Sequence, residues 1–457
     1  MNKQQYEKLL NIAIENGADF AEIYDEKSTS TSYKVMDSKL DNIATKNKCG
    51  IGIRVKKDNS CYYASTNNKE FDNLVKIVNN LTKKFKVSSN MQNILLTEIV
   101  DKTKKCNLHN NLSIDDKKKI LLDLDKIARD TSNFVNQTSL CFLEDYKEFI
   151  ICNTKGKYIK SNNIVTRFMC TVYVERDGNT ESQFADYAIG DGYDFIDKID
   201  LKSIVSKCTK TAVEKLDSIY FKGGEMPVIL GNGFGAVIFH EACGHGLEAT
   251  SIAPGVSVFK DDLNKKIASE KVTLIDDGTI VNEWGSSIID DEGNETKKNI
   301  LIENGVLKNY LIDEFNSEIM GMKSNGCGRR QDYIYPPTSR MSNTYLQCGT
   351  DKIDDMIKSI NYGVYCERMS GGSVNPATGE FNFAVDVARL IEKGKITKML
   401  KGVTLIGNSK EILKNVEMVS DDLKLSGGYC GSTSCIVYVT IGQPTIKISK
   451  ILVGGKE

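Results

Sequence analysis

Residues 226–245 read MPVILGNGFGAVIFHEACGH, an apolar run of small residues that ends on two histidines and a glutamate. The chain holds three histidines in 457 residues, so a pairing of His240 and His245 around Glu241 is improbable by chance. Two neutral imidazoles can bind zinc, and an adjacent carboxylate can take a proton from water at a metal. The apolar run before them predicts a buried helix over about residues 232–248 as the carrier of this chemistry.

The spacing shapes that expectation. In the familiar H-E-x-x-H pattern the histidines stand at i and i+4, about 40° apart around a helix of 3.6 residues per turn. Here they stand at i and i+5, about 140° apart on an ideal α-helix and too far round to share one metal. The sequence therefore predicts either a π-type bulge or a helix that loosens near Gly244 and Gly246. Bulges of this kind occur often at functional sites. The competing reading is an ordinary helix whose two histidines are satisfied by local hydrogen bonds.

Composition narrows the class. The 60 basic and 61 acidic residues leave a net charge of −1, without the basic excess of a nucleic-acid binder. No run reaches the roughly 20 apolar residues of a membrane span, so neither nucleic acid nor membrane is expected as a partner. The N-terminal MNKQQYEKLLNIAIENGADF reads as an amphipathic helix and not as a secretion signal. Thirteen cysteines, an odd number with no C-x-x-C pair, do not form the framework of a small secreted scaffold. The expected compartment is the reducing cytoplasm, with most thiols acting as small buried apolar groups. A thiol-redox protein is a rival reading that the missing C-x-x-C weakens.

Along the chain, Tyr6, Leu9, Leu10, Ala13 and Ile14 follow a helical period that Gly17 stops. Strands are expected at 21–24, 32–36, 50–55 and 61–64, the last two joined by a turn at Asp58-Asn59. Helices follow at 71–85, 113–128 and 200–216, with strands at 139–144, 148–152 and 164–175. The Lys- and Asn-rich segment 86–112 reads as a mobile or inserted loop. At Phe221-Lys222-Gly223-Gly224-Glu225 the texture changes, and strand-and-turn patterns dominate beyond it. The expected class is α+β in two domains. Residues 1–220 form a mixed α/β, sandwich-like N-terminal domain, and 221–457 form a β-rich C-terminal domain carrying the metal-binding helix.

A catalytic zinc usually has three protein ligands and an open position for water. His109 lies in the polar segment and is a poor third ligand. Gly427-Gly428-Tyr429-Cys430-Gly431 sets a cysteine in a Gly-rich turn before a strand, well placed to reach a metal. Cys435 and Cys243 compete with it, and composition does not choose among the three.

These blocks, taken together, resemble the TldD/PmbA family of zinc metallopeptidases. The resemblance begins with GIGIRV at 50–55 and is strongest from about residue 226. It runs through HEACGHGLEA at 240–249, VTLIDDGT at 272–279, WGSSIIDDEG at 284–293 and LIENGVLKNYLID at 301–313. It continues through NGCGRR at 325–330, PPTSRMSNTYL at 336–346, GGSVNPATGEFNF at 371–383, KGVTLIGN at 401–408 and GGYCGSTSC at 427–435. It implies that His240, His245 and Cys430 hold one Zn2+ and that Glu241 is the general base. It implies the catalytic type of subunit, because the partner-type paralogue lacks the H-E-x-x-x-H run. It further implies a cytoplasmic dimer, either a homodimer or a heterodimer with that paralogue, that encloses the site and cleaves unfolded or leader-type peptides. One stretch departs from the family: a Gly-Lys-x-Gly-Gln type run commonly follows the ligand cysteine, and this chain has Gly431-Ser432-Thr433-Ser434-Cys435. The change puts local substrate contacts in question and leaves Cys435 as an alternative ligand.

Two supporting roles complete the expectation. Glu248 could hold a histidine N–H behind the metal, or stand as an exposed carboxylate at a helix end. Arg329, Arg330, Tyr333 and Tyr335, in a loop dense in donors, are candidates to stabilise the oxyanion or bind substrate, against the simpler reading of structural ion pairs and packing. The main rival function is a non-catalytic peptide-binding partner subunit of a heterodimeric peptidase; another is a zinc hydrolase acting on some other bond.

Overall fold

The computed structural model describes residues 1–86, 93–99 and 112–456. Most of the polar segment expected as a loop, including His109, lies outside the described residues; within it, Thr97–Ile99 forms a short strand.

The N-terminal part is built on one seven-stranded sheet. Its strands are β1 (Phe20–Met36), β2 (Lys39–Lys57), β3 (Ser60–Thr66), β4 (Thr97–Ile99), β5 (Val135–Asn153), β6 (Lys157–Arg176) and β7 (Asn179–Ile189), in the order β3-β2-β1-β5-β6, with β4 and β7 both on β6. The short strands expected at 21–24 and 32–36 are one strand, as are those at 139–144 and 148–152. The polar residues between them contain neither Gly nor Pro, and Thr29 and Thr31 favour extended backbone, so nothing interrupts the ladder. Turns fall instead where positive φ is tolerated, at Asp37-Ser38 and at Asp58.

Alternation gives this sheet two different faces. On one, Ile23, Ile53 and Val55 meet helices α1 (Lys3–Glu15) and α2 (Phe71–Thr82). Farther along the same face, Val35, Leu140 and Phe142 meet α3 (Ile114–Thr131) and α4 (Leu201–Lys215). The opposite face of β1 turns Glu22, Tyr24 and Glu26 toward the C-terminal part, where Tyr24 packs with Phe149, Ile151, Ile289 and Tyr333.

Residues beyond 223 form two main sheets. One contains β9 (Leu274–Asp277), β10 (Lys298–Glu303), β11 (Val306–Leu307), β14 (Asn343–Leu346), β20 (Lys424–Ser432) and β21 (Cys435–Gln443), in the order β11-β10-β9-β14-β21-β20. The other contains β8 (Gly224–Leu230), β15 (Tyr362–Val374), β16 (Glu380–Glu392), β17 (Lys395–Leu400), β18 (Thr404–Asn408), β19 (Val416–Val419) and β22 (Ile446–Gly454). Here β15 pairs with both β8 and β16, which closes β15-β8-β22-β18-β16 into a ring. A small ribbon, β12 (Gly328–Arg329) with β13 (Thr338–Ser339), lies outside both sheets. One apolar core joins the two sheets, and Ile238, Phe239 and Leu247 of the histidine segment are buried inside it. The class is therefore mixed α/β and strand-rich, with the histidine segment in the β-rich C-terminal part.

The two parts meet through buried charge. Arg54 on β2 donates to Glu22 at 2.8 Å and to Glu292 at 2.7 Å, and Arg330 donates to Glu22 at 2.6 Å. All four side chains are at most 3% exposed. Removing one member leaves a desolvated charge without its partner. Arg54→Met is expected to lower stability by about 3–5 kcal/mol, read as a shift in the urea midpoint for loss of tertiary fluorescence; a shift near zero would mean that water reaches the cluster.

Candidate metal centre

The histidine segment is not one regular helix. It passes through a 3-10 turn at Gly233–Ala236, a single α-turn at Val237–Phe239, a π-turn at His240–Gly244 and a 3-10 turn at His245–Leu247, and becomes extended at Glu248. The bulge that the spacing predicts is this π-turn, in which the His245 N–H donates to the His240 carbonyl. An i to i+5 turn brings residues five apart into line, and the two imidazoles lie 5.2 Å apart, edge to face. Glycines let the segment enter the core. A Cβ on Gly244 would sit 1.9 Å from Met341 Sδ, and one on Gly246 would sit 2.8 Å from the Phe259 ring.

Strand β20 brings the third group. Cys430 Sγ lies 3.2 Å from His240 Nε2 and 3.2 Å from His245 Nε2, with all three residues buried. Burial by itself would raise the Cys430 thiol, but the charges of His240 and His245 and their hydrogen bonds outweigh it and push the thiol down to about 3. Of the competing cysteines, Cys243 is buried in the apolar core, and burial raises its thiol. Cys435 sits at the tip of the β20–β21 hairpin at φ 66° and is not part of the converging group.

The two nearby carboxylates differ in environment. Glu248 is 2% exposed and accepts a hydrogen bond from His245 Nδ1 at 3.0 Å, which turns Nε2 of that ring toward Cys430. Glu241 lies 3.7 Å from His245 Nε2, and its side chain is 20% exposed. Burial raises its carboxyl, partly offset by the two histidines. It accepts no hydrogen bond among the described residues.

The four loop donors separate. Arg330 is engaged in the buried charge cluster with Glu22 and also donates to the Asp291 carbonyl at 2.8 Å. Tyr333 packs against Tyr24, and its ring abuts Gly50, where a Cβ would come within 2.1 Å of it. Tyr335 lies beside the Cys435 thiol. Arg329 donates to the Met341 carbonyl at 2.7 Å; it has no carboxylate within ion-pair distance among the described residues, and the Cys430 thiolate is among the charges acting on it. Sequence reading missed Arg340. It is buried to 0% exposure and donates to the Cys430 and Cys435 carbonyls at 2.6 and 2.8 Å. The available signal was the one charged residue inside the stretch TSRMSNTYL.

A buried site of two imidazoles and a thiolate with a free carboxylate beside it has the makings of a metal-dependent hydrolase. Comparison with known proteins gives the family. Models of the PmbA/TldA metallopeptidase match in three consecutive parts, domain 1 over residues 21–83, the central domain over 108–216 and the C-terminal domain over 223–455. A metalloprotease TldD homolog of Buchnera aphidicola is 34% identical over 96% of this chain and 93% of its own. A metalloprotease of Methanocaldococcus jannaschii is 30% identical over 98% of each chain. A zinc metalloprotease TldD homolog of Saccharolobus solfataricus is 32% identical over 58% of this chain and 59% of its own. The solved structure of TldE from Thermococcus kodakarensis shares the fold, with a TM-score of 0.79 at 21% identity, covering 99% of this chain and 100% of that one. The chain belongs to the PmbA/TldA metallopeptidase family, also called TldD/PmbA, and is thus a hydrolase acting on peptide bonds.

The close fit of Gly244 against Met341 can be tested. Gly244→Ala is expected to cost about 1–3 kcal/mol by overpacking, and Met341→Ala in the same chain is expected to recover part of that loss. Thermal unfolding of the single and double variants checks it. Additive losses would show that the two side chains do not contend for one space.

Proposed function

We propose that this chain is a zinc-dependent peptidase that cleaves unfolded or leader-type peptides, with one zinc ion held by His240, His245 and Cys430. The observation that carries the reading is the convergence of two Nε2 atoms and one Sγ within 4.8 Å in a buried site. A zinc ion bound there supplies Lewis acidity toward a peptide carbonyl and toward water.

The remaining work falls to the chain's own groups. Glu241, partly exposed and not tied down by hydrogen bonds among the described residues, accepts the proton of the attacking water and passes it to the leaving amine. Glu248 fixes the orientation of the His245 ring. Arg329, with donors to spare, is the best placed of the four loop residues to meet the oxyanion. Main-chain pairing of an extended peptide with an exposed sheet edge would tolerate many sequences but require an unfolded substrate. Residues 1–220 serve as chamber wall and dimer surface, and 221–457 as the metallopeptidase domain. The assembly is a homodimer or a heterodimer with a paralogous subunit. In reducing cytoplasm Cys430 stays available as a thiolate.

Two variants test the assignment. Cys430→Ala is expected to lose both bound zinc, measured by elemental analysis, and hydrolysis of an unstructured peptide. Glu241→Gln is expected to retain about one zinc per chain while kcat falls by roughly 10²–10⁴. Wild-type turnover in Glu241→Gln would exclude it as the base. Wild-type protein with neither zinc nor cleavage would favour the non-catalytic partner subunit.

A further inference from the structure

The strands and turns that carry the metal-site residues come from positions almost two hundred residues apart, and one side chain spans them. Arg340 Nη2 donates to the Cys430 carbonyl at 2.6 Å. Its Nη1 donates to the Ser434 hydroxyl at 2.9 Å and to the Cys435 carbonyl at 2.8 Å. Its Nε faces Glu248 Oε1 at 3.8 Å. Neither of those two facing atoms, both buried, has a hydrogen-bond partner among the described residues, so each is the charge available to neutralise the other. The second oxygen of Glu248 holds His245. The guanidinium is therefore fixed at one end to the backbone of the Cys430 hairpin and at the other to the carboxylate that orients His245.

We infer that Arg340 is a positioning residue that sets the separation of His245 from Cys430, and with it the geometry offered to the metal. This rests on the metal-site reading given above. Lysine cannot replace it, because the ammonium lacks the planar fork that reaches three acceptors while facing a fourth. The arrangement also explains the loop sequence after Cys430. Ser434 is 0% exposed, and the Cys435 carbonyl points inward, so the hairpin tip supplies acceptors to Arg340.

The test uses the full chain, with zinc affinity read by competition with a chromogenic chelator and geometry read from the absorption of the cobalt(II)-loaded protein. Arg340→Lys keeps a cation near Glu248 but loses the fork. It is expected to weaken zinc binding by about 10–100-fold and to shift the thiolate-to-cobalt band, with kcat falling more than KM rises. Ser434→Ala removes one acceptor and no charge, and is expected to move affinity and spectrum in the same direction by a smaller factor. A folded Arg340→Lys with wild-type affinity and spectrum overturns the inference. Should that variant fail to fold, wild-type behaviour of Ser434→Ala overturns it instead. Equal metal binding by wild type and Cys430→Ala would sink the metal-site reading itself, a result distinguishable from failure of the Arg340 role alone.

Discussion

The site depends on a backbone turn that an isolated chain would not adopt. A π-turn has poorer geometry than an α-turn and is rare outside functional positions. Here it is held from all sides: Ile238 and Phe239 before it and Leu247 after it are buried in the C-terminal core, and Met341 presses on Gly244. Without the turn the two imidazoles would diverge around the helix. With it, they close on Cys430 from one side. The closed strand ring and the six-stranded sheet can be seen as the frame that makes this one irregular segment the lowest-energy choice.

A second constraint follows from charge. A thiolate and two imidazoles buried together are costly unless compensated. The two histidines push the Cys430 thiol down against the effect of burial, while Glu248 first and Cys430 after it hold His245 above the usual histidine range despite a burial effect that lowers it. A metal ligand must be deprotonated, so metal binding at His245 would be coupled to proton release. Glu248 and Arg340 then form the outer layer, a buried carboxylate and a buried guanidinium that satisfy each other and the ligands rather than solvent.

Much of this was legible in the sequence, and the limits have physical causes. The i and i+5 spacing of His240 and His245 narrowed a shared metal site to a π-type bulge or a loosened helix, because helical geometry leaves few ways to bring those rings together, and the π-turn is the one observed. The fold class followed from the change in texture near residue 221. The long strands β1 and β5 were read as broken, because polar stretches such as Ser28–Ser32 mimic loops when the partner strands are unknown. The helix expected over 232–248, with a bulge or loosening near Gly244 and Gly246, is a series of short turns, since four glycines and the core contacts around them outweigh local propensity. Arg340 was beyond reach for a different reason, as was the Glu22 partner of Arg330: these partners lie about 90 and about 310 positions away, and a charged residue in a loop gives no sign of which distant group will neutralise it.

The contrast between the two glutamates of the motif shows how environment assigns chemistry to identical side chains. Glu248 has both oxygens committed, one to His245 and the other opposite Arg340, and is sealed from water. Removing a carboxylate so held would strand a buried guanidinium. Glu241 is seven residues earlier on the same segment, partly open to solvent, and free of hydrogen bonds among the described residues. Burial makes it more basic than an exposed carboxylate, while the nearby histidines keep it able to ionise. Proton transfer requires a group that can exist in both states at little cost, which is the condition the proposed role sets for Glu241. On that proposal the segment divides the labour by depth, with the deeper carboxylate fixing geometry and the shallower one moving protons.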